Sequence, residues 1–247
     1  MTDLGAAEIR PNIARVQEKI HNACAKVGRD PETVTLVAVS KGKPGADVLA
    51  AVEAGLQHFG ENRVEESIQK IPTVHDQLDH PLTWHMVGHV QSRKARYIPP
   101  LFQVLHSVDS LSLAQKLSRL QVESNGTLDV LIQMNVAGEE QKYGFEASRW
   151  QSDVAARTEL IDTVRQITQL PGLNLCGLMT MAPLVTDMEE TRPVFAGMAA
   201  LRDELQAALG LQLPDLSMGM TDDYPVAIEE GATLVRVGRA IFGERNG

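Results

Sequence analysis

The sequence predicts an α/β fold, a single (β/α)8 barrel of the TIM type, and three observations favour it. Eight short apolar segments typical of buried strands alternate with segments of helical periodicity. The chain has 247 residues, close to the about 250 that such a barrel typically needs. No Pro/Gly-rich linker, repeat or low-complexity segment divides it. We therefore expect one domain over residues 1–247, with the barrel from about residue 34 to 245.

An amphipathic helix opens the chain. Apolar residues recur every three or four positions in IRPNIARVQEKIHNACAKVG, which Gly28 closes, so we place this helix at about residues 6–27. The predicted strands are 34–40, 56–61, 83–88, 104–109, 128–136, 174–181, 215–220 and 233–238. The helical patterns between them are ADVLAAVEAG, NRVEESIQKI, VQSRKARYI, SLSLAQKLSRLQVES, ARTELIDTVRQITQL, EETRPVFAGMAALRDELQAALG and DDYPVAIEEG.

Several element boundaries have local chemistry behind them. Gly55, Gly210 and Gly231 each follow a helical pattern, where a left-handed C-cap is expected. Thr186 and Glu189 resemble a capping box, but a proline, the P of TRPVF, follows in the same segment. Because proline disrupts a helix interior, this helix either kinks or begins later.

Composition and charge exclude several classes of function. The formal net charge is −9 and 4% of residues are aromatic, so a nucleic-acid partner is not expected, because its phosphates would be repelled and stacking side chains are few. No stretch approaches the about 18 apolar residues of a membrane span, and no signal or transit peptide is visible. We expect a cytoplasmic protein without membrane partners, in which Cys24 and Cys176 are small buried residues in a reducing compartment.

Lys41 ends the first predicted strand. The run VTLVAVSK places one amine at the carboxyl end of a buried strand, where α/β folds keep their chemistry. Burial lowers the pKa of a lysine, and a neutral amine is the nucleophile that forms Schiff bases with carbonyl compounds. Taken alone, a solvated lysine at a strand–loop junction is the commoner case. A phosphate site further along the chain favours the functional interpretation.

That phosphate site is predicted at the ends of the last two strands, in the segments SMGMTD and VRVGRA. Strands seven and eight of such a barrel usually supply the phosphate-binding corner. Small residues let backbone amides approach a phosphate, and hydroxyl groups add donors. The residues that suit this role are Ser217, Gly219, Thr221 and Gly238, followed by Arg239 at the start of a short helix.

Arg236 lies in a strand otherwise made of Thr, Leu and Val. Strand alternation points it into the barrel mouth if Val235 and Val237 face the helices. Two interpretations stay open. Arg236 pairs with a carboxylate such as Glu61 or Asp222, because a buried arginine needs an acceptor. Alternatively, it faces the ring nitrogen of a bound pyridine and holds that nitrogen unprotonated, which weakens the ring as an electron sink.

Two further groups of side chains favour structural roles. His85 and His89 are four residues apart but lie on a strand and its following turn, so the helical geometry of zinc proteases is absent and no metal site is predicted. His85 is expected to line the barrel mouth. Asp222 and Asp223 are expected to begin the helix after the seventh strand, where carboxylates complement the helix dipole.

Motifs along nearly the whole chain resemble a known family. They are VAVSKGKP, FGENRVEE, WHMVGHVQSRK, HSVDS, KYGF, GLMTMAP, LSMGMTDDYPVAI and VRVGRAIFGER. In this order they resemble the pyridoxal phosphate homeostasis protein family, barrels similar to the N-terminal domain of alanine racemase. The resemblance implies that Lys41 carries pyridoxal 5′-phosphate (PLP) as an internal aldimine and that Arg236 lies against the pyridine nitrogen. It also implies contacts to the cofactor from Asn62, and at the phosphate end from Ser217, Met220, Thr221, Gly238 and Arg239.

The sequence departs from the family at three positions. Gly42 and Arg93 stand where threonine and asparagine are frequent, and Arg239 stands where threonine often follows the glycine. At Arg239 a side-chain hydroxyl to the phosphate would be lost, although the backbone donor remains and the arginine charge could substitute. Lys43 and Lys142 are alternative amines that could hold or relay the cofactor.

Two functions compete. The first is a non-catalytic carrier that holds PLP reversibly and passes it to apo-enzymes, as a monomer by the resemblance. The second is an amino-acid racemase, which needs a second base on the opposite face of the bound substrate. In alanine racemase a further β-domain supplies that base, and we expect no such domain in the sequence up to Gly247. We therefore favour the carrier and assign no catalytic residues. A sugar-phosphate barrel enzyme is a distant third alternative and leaves Lys41 unexplained.

Overall fold

Parallel strands form a closed barrel in the computed structural model, which describes residues 6–139 and 143–244. The strands are β1 (Thr35–Val39), β2 (His58–Glu61), β3 (Thr83–Met86), β4 (Val104–Val108), β5 (Leu128–Asn135), β6 (Phe145–Glu146), β7 (Leu173–Met179), β8 (Asp215–Met220) and β9 (Leu234–Val237). Their order is β4, β3, β2, β1, β9, β8, β7, β5, and β4 also pairs with β5, which closes the ring. The two-residue strand β6 pairs with the end of β5 outside this ring.

Helices alternate with the strands and cover the outside of the barrel. They are α1 (Ala6–Lys26), α2 (Gly45–Glu53), α3 (Val64–His75), α4 (Leu111–Ser124), α5 (Val154–Thr168), α6 (Arg192–Leu209), α7 (Tyr224–Glu229) and α8 (Arg239–Phe242). Shorter 3-10 turns occupy Pro31–Thr33, Ser92–Tyr97 and Met188–Thr191. Helix α1 buries its apolar stripe against α2, α7 and α8.

The predicted (β/α)8 barrel is confirmed, with each of the eight predicted strands found within two residues of its expected ends. Three details differ. The segment after β3 forms a 3-10 turn rather than an α-helix, and β6 was not predicted. Helix α6 begins at Arg192, after the two glutamates with which the predicted helical segment starts. These glutamates belong to a separate 3-10 turn that Asp187 caps, and Pro193 occupies the first turn of the helix. Gly55, Gly210 and Gly231 have φ of +96°, +65° and +101°, as expected of helix ends.

The core has two parts of different chemistry. Between the strands and the helices lies one large apolar cluster, which includes Phe59, Trp84, Val235 and Val237. Inside the barrel the apolar cluster is small: Val37, Leu131, Met179 and Leu234. Much of the remaining interior is polar, since His85, His106, Ser217, Gln133 and Arg236 are all buried. The barrel therefore encloses polar groups that must find hydrogen-bond partners there.

Two smaller observations complete the fold. No helix in the described parts of the chain has both the length and the apolar character that crossing a bilayer demands. Both cysteines are free thiols, but only Cys24 is fully buried, since Cys176, in the middle of β7, is partly exposed.

Close contact between β7 and β8 predicts a large effect of Gly177→Ala. A Cβ at this position would overlap the carbonyl oxygen of Asp215 and lie 2.8 Å from the Asp215 Cβ. We expect the free energy of unfolding to fall by about 2 kcal/mol or more, measured by urea denaturation. Gly197→Ala in α6 is the control: its Cβ would meet only Val136 Cγ1, at 3.3 Å, so the change should stay below about 1 kcal/mol. Equal effects of the two substitutions would contradict this packing.

Candidate functional site

A cavity of about 580 Å³ opens where the chain leaves the carboxyl ends of several strands, beside α8. This volume lies in the range of small-molecule and cofactor sites, about 300–1,000 Å³. Seven of the nine residues predicted for the site line it: Lys41, Asn62, Met220, Thr221, Arg236, Gly238 and Arg239. Of the other two, Ser217 is fully buried and contacts Arg236, and Gly219 packs closely against Tyr224 and Ala227 of α7. The barrel thus brings together residues that are up to 198 positions apart in the sequence.

Lys41 is half-buried and follows the end of β1 by two residues. The preceding Ser40 is fully buried, and its hydroxyl donates to Oε1 of Glu61 at 2.6 Å. Lys70 Nζ donates to the same Glu61 oxygen at 2.8 Å and to the Ser40 carbonyl at 2.9 Å. Burial raises the pKa of Glu61, although Lys70 opposes the shift. These three hydrogen bonds hold the backbone that carries Lys41.

Lys43 lines the same cavity but is held in another contact. Its Nζ donates to the carbonyl oxygen of Glu244 at 2.7 Å, and the side chain joins the end of β1 to the C-terminal segment. This contact supports a structural role for Lys43. The other alternative amine, Lys142, lies outside the described residues.

Arg236 is 5% exposed and belongs to β9. Its Nη1 donates to Ser217 Oγ at 2.6 Å and its Nη2 donates to the Thr180 carbonyl at 2.9 Å. Glu61 and Asp222, the carboxylates considered as partners, bind Lys70 and Arg239 instead. Burial lowers the pKa of the guanidinium to about 10, so it remains charged at neutral pH. These contacts therefore do not support the ion-pair interpretation.

The charge of Arg236 creates a demand for an acceptor in the cavity. A guanidinium has five N–H donors, and the two contacts above use two of them. Both acceptors are neutral oxygens, so the buried charge is not compensated by a direct carboxylate contact among the described residues. Because Arg236 lines the cavity, an electron-rich atom placed there would gain a charge-assisted hydrogen bond.

Three histidines continue from Ser217 across the barrel interior. His106 Nδ1 lies 2.7 Å from Ser217 Oγ, His85 Nδ1 lies 2.8 Å from His106 Nε2, and His58 Nδ1 lies 3.0 Å from His85 Nε2. Burial lowers the pKa of His85 to about 3 and that of His106 well below its ordinary value. Burial also lowers the pKa of His58. At neutral pH we therefore treat all three rings as uncharged.

These histidines correct two expectations. His85 was expected at the barrel mouth, but it is 2% exposed and lies inside the barrel. Ser217 was expected to donate to a phosphate, whereas its hydroxyl lies between His106 and Arg236. His58 and His106 were missed by the sequence reasoning. Each lies in a predicted strand, His58 in LQHFGE and His106 in VLHSVD. That position by itself does not separate a core histidine from a functional one.

Residues at the ends of β8 and β9 line the other part of the cavity. The backbone N–H of Met220 donates to Asp223 Oδ1 at 2.6 Å, so this amide is already used. Arg239 Nη2 lies 2.7 and 2.6 Å from the two Asp222 oxygens. Asp222 and Asp223 do precede α7, but their side chains bind Arg239 and Met220 rather than capping the helix. Arg239 is therefore available to an anion only in competition with Asp222.

The packing around Gly238 indicates whether a phosphate group fits at the ends of β8 and β9. A Cβ here would lie 3.0 Å from the Val39 carbonyl oxygen, so the end of β9 packs closely against the end of β1 only without a side chain. The backbone amides at the start of α8 have no acceptor within the helix. With the amine of Lys41 and the charged donor of Arg236 on the same cavity, the lining fits a phosphorylated aromatic aldehyde such as PLP.

Comparison with known proteins defines the class first. The family model described as alanine racemase, N-terminal domain, matches residues 7–246. An alanine racemase from Clostridium difficile, solved in complex with cycloserine, matches with a TM-score of 0.70 at 14% identity, over 98% of this chain and 60% of that chain. This second likeness shows the fold alone. Fold and cavity thus define a barrel of the alanine racemase N-terminal class.

Relatives at higher identity narrow the class. A Pyridoxal phosphate homeostasis protein of Pseudomonas aeruginosa is 42% identical over 238 residues, 96% of each chain. One from Aquifex aeolicus is 39% identical over 233 residues, 94% of this chain and 96% of that one. PipY of Synechococcus elongatus, solved with PLP bound, has a TM-score of 0.79 at 36% identity, over 95% of this chain and 100% of that chain. The chain belongs to the pyridoxal phosphate homeostasis protein family.

The ion pair of Asp222 with Arg239 on the cavity lining predicts that Asp222→Asn strengthens anion binding. Removing this carboxylate releases Arg239 and removes a negative charge from the cavity lining. We expect the affinity for inorganic phosphate, measured by isothermal titration calorimetry, to rise about two- to fivefold. Asp162→Asn removes a carboxylate that pairs with Arg165 on α5 and should leave the affinity unchanged. A decrease in the Asp222 variant would show that this carboxylate helps to build the anion site.

The buried histidines predict acid-sensitive stability. Because the folded-state pKa of His85 lies below its ordinary 6.5, the unfolded chain binds more protons, and the free energy of unfolding falls as the pH falls below about 6.5. From pH 7 to pH 5 the contribution of His85 is about 2 kcal/mol. Glu61 and Asp223, whose pKa values burial raises, act in the opposite direction.

Matched variants isolate this contribution. In urea denaturation, His85→Asn should reduce the loss of stability between pH 7 and pH 5 by about 2 kcal/mol relative to the unmodified protein. His80→Asn replaces a histidine whose side chain is 46% exposed and should leave the pH dependence unchanged. An identical pH dependence in the unmodified protein and the His85 variant would mean that His85 takes up no extra proton on unfolding.

Proposed function

We propose that this protein binds PLP in the cavity at the carboxyl ends of the strands and serves PLP homeostasis by holding the cofactor reversibly. The observation that carries the proposal is the placement of Lys41 and the buried charge of Arg236 on one cavity. The family membership and the PLP-bound structure of PipY support the same ligand. A sugar-phosphate enzyme is not favoured, because the relatives that match nearly the whole chain are pyridoxal phosphate homeostasis proteins.

Lys41 is proposed as the covalent attachment point. Its amine would attack the aldehyde carbon of PLP, and formation of the carbon–nitrogen double bond would release one water. The hydrogen bonds of Ser40, Glu61 and Lys70 fix the backbone on which this amine is carried. A fixed attachment point lowers the entropy lost when the bond forms, which favours capture from dilute solution. Hydrolysis reverses the same step and releases PLP unchanged.

Arg236 is proposed to donate to the ring nitrogen of PLP. A bound PLP supplies a conjugated ring that withdraws electrons most strongly when its nitrogen is protonated. A guanidinium with a pKa of about 10 keeps its own protons at neutral pH, so it donates a hydrogen bond without transferring the proton. Arg236 would thereby hold the ring in its weaker electron-withdrawing form, which suits storage better than bond breaking at an amino-acid substrate.

Asn62, Thr221, Gly238 and Arg239 are proposed to complete the site. Thr221 supplies a hydroxyl, and the backbone of Gly238 and Arg239 supplies amides at the start of α8. Asn62 follows the end of β2 and lines the same cavity, and it would offer both a donor and an acceptor to ring substituents. The side-chain charge of Arg239 would contribute to anion binding only in competition with Asp222.

An amino-acid racemase is the second candidate, and the cavity disfavours it. Racemisation needs a second base across the ring from Lys41. Among the described residues of the lining, the further titratable side chains besides the two arginines are Lys43, Asp222 and Glu244, and the first two are held in the contacts described above. We propose that the protein is not a catalyst, and that it acts as a cytoplasmic monomer built of one domain and supplies PLP to apo-enzymes.

Replacing Lys41 tests the attachment point. We expect Lys41→Arg, which keeps the positive charge but cannot form the carbon–nitrogen double bond, to abolish the visible absorbance of the PLP-loaded protein. Borohydride reduction followed by peptide mass mapping should fix PLP on Lys41 in the unmodified protein. The control Lys43→Arg should keep the absorbance. A coloured Lys41 variant with PLP fixed on another lysine would move the attachment to Lys43 or Lys142.

An assay of the loaded protein separates the two candidate functions. Incubation with L-alanine in deuterated water should give no D-alanine above the rate with free PLP. The reason is that the candidate bases among the described lining residues are engaged: Lys43 binds the Glu244 carbonyl, and the carboxylates of Asp222 and Glu244 pair with Arg239. Transfer of PLP to a PLP-free aminotransferase, followed by its regained activity, should occur with the unmodified protein. Conversion of L-alanine to a racemic mixture would contradict the carrier function and support the racemase.

A further inference from the structure

A continuous chain of hydrogen bonds crosses the barrel from one end to the other. It begins at His58, the first residue of β2, and continues through His85 on β3, His106 on β4 and Ser217 on β8. It ends at Arg236 on β9, in the cavity lining. At its other end His58 lines a separate cavity of about 290 Å³ at the amino-terminal end of the barrel. Every contact in the chain is between 2.6 and 3.0 Å.

The direction of this chain follows from Arg236. A guanidinium has donors and no acceptor, so Ser217 Oγ accepts from Arg236 Nη1. The hydroxyl proton of Ser217 then has one acceptor among its contacts in the described residues, His106 Nδ1. With Nδ1 accepting, neutral His106 carries its proton on Nε2 and donates to His85 Nδ1.

The same reasoning fixes the remaining rings. His85 accepts at Nδ1, so its proton is on Nε2 and is donated to His58 Nδ1. His58 in turn carries its proton on Nε2, at the partly exposed end of the chain. Each buried ring nitrogen therefore has one partner, as a low-dielectric interior requires. An imidazolium at any of these positions would present two donors and would break the chain.

We propose that His58, His85, His106 and Ser217 are positioning residues for Arg236, which they hold through a one-directional hydrogen-bond chain with all three histidines in the Nε2–H tautomer. The chain keeps the guanidinium at one place in the cavity lining, with Thr180 as its second anchor. The tautomers are a property of the protein itself. The consequence for the pyridine nitrogen of PLP rests on the proposed function.

Nuclear magnetic resonance on the PLP-free protein tests the chain directly. Long-range ¹H–¹⁵N correlation spectra distinguish the two neutral tautomers of each histidine. At pH 7.5 we expect the Nε2–H pattern for His58, His85 and His106. His21 and His89 are internal controls with the opposite expectation, because their Nδ1 atoms contact the Gln17 carbonyl and an Asp109 carboxylate oxygen. An Nδ1–H tautomer or an imidazolium at any of the three chain residues would overturn the proposal.

Two variants of His106 test the positioning role. The side-chain oxygen of asparagine can occupy the place of ring Nδ1, so His106→Asn keeps an acceptor for Ser217, whereas His106→Leu removes it. We expect His106→Leu to weaken PLP binding about tenfold and to shift the absorbance of bound PLP. His106→Asn should restore both to within about threefold of the unmodified protein. Equal effects of the two variants would mean that His106 contributes only through packing, and this would overturn the proposal.

The possible outcomes distinguish a failure of the hydrogen-bond chain from a failure of the proposed PLP binding. If the leucine variant does not fold, the tautomer measurement on the unmodified protein still decides the chain. If the unmodified protein takes up no PLP, the proposed function is overturned, while Nε2–H tautomers at the three chain histidines would still support the chain. If PLP binds and the tautomers are wrong, the chain alone is overturned.

Discussion

The buried positive charge of Arg236 is the constraint on which the rest of the site depends. It lies inside a parallel barrel, 5% exposed, and its direct contacts are the neutral oxygens of Ser217 and Thr180. A charge in such a place is tolerated only when its donors are paired. Part of that pairing comes from the protein and leaves donors for an acceptor in the cavity. A ligand atom with a lone pair, such as a pyridine nitrogen, would accept a hydrogen bond from one of these remaining donors.

The end of the neighbouring strand β1 meets a different requirement. In the proposed function the Lys41 amine attacks an aldehyde, so its backbone must be fixed while the amine stays reachable. The buried pair of Glu61 and Lys70, together with Ser40, meets the first requirement, and the half-buried position of Lys41 meets the second. The desolvation of the two buried charges offsets much of their Coulomb attraction, and the same desolvation raises the pKa of Glu61. Its role is therefore better explained by geometry than by stability.

The sequence predicts features that depend on neighbouring residues, and it does not predict contacts between residues that are far apart in the chain. The eight strands could be predicted because each is a short apolar run between turn residues, and the strand-end positions of Lys41 and Gly238 followed from them. Strand β6 has two residues and no pattern of its own. The partners of Arg236 could not be predicted, because His58, His85, His106 and Ser217 lie on four separate strands. Pairing of β2, β3 and β4 brings the three histidines together, and barrel closure brings His106 to Ser217 on β8. The stagger of the strands sets which atoms meet.

Fold stability alone does not explain why the barrel interior contains this histidine chain. Barrels of this type are normally filled by layers of branched apolar side chains, and here the interior apolar cluster is limited to Val37, Leu131, Met179 and Leu234. Replacing a buried polar network with well-packed apolar residues is often neutral or stabilising. The polar chain also makes stability depend on pH, since its rings must stay neutral. A protein that needs a charged donor held rigidly in its cavity has a reason to retain both the arginine and the chain behind it.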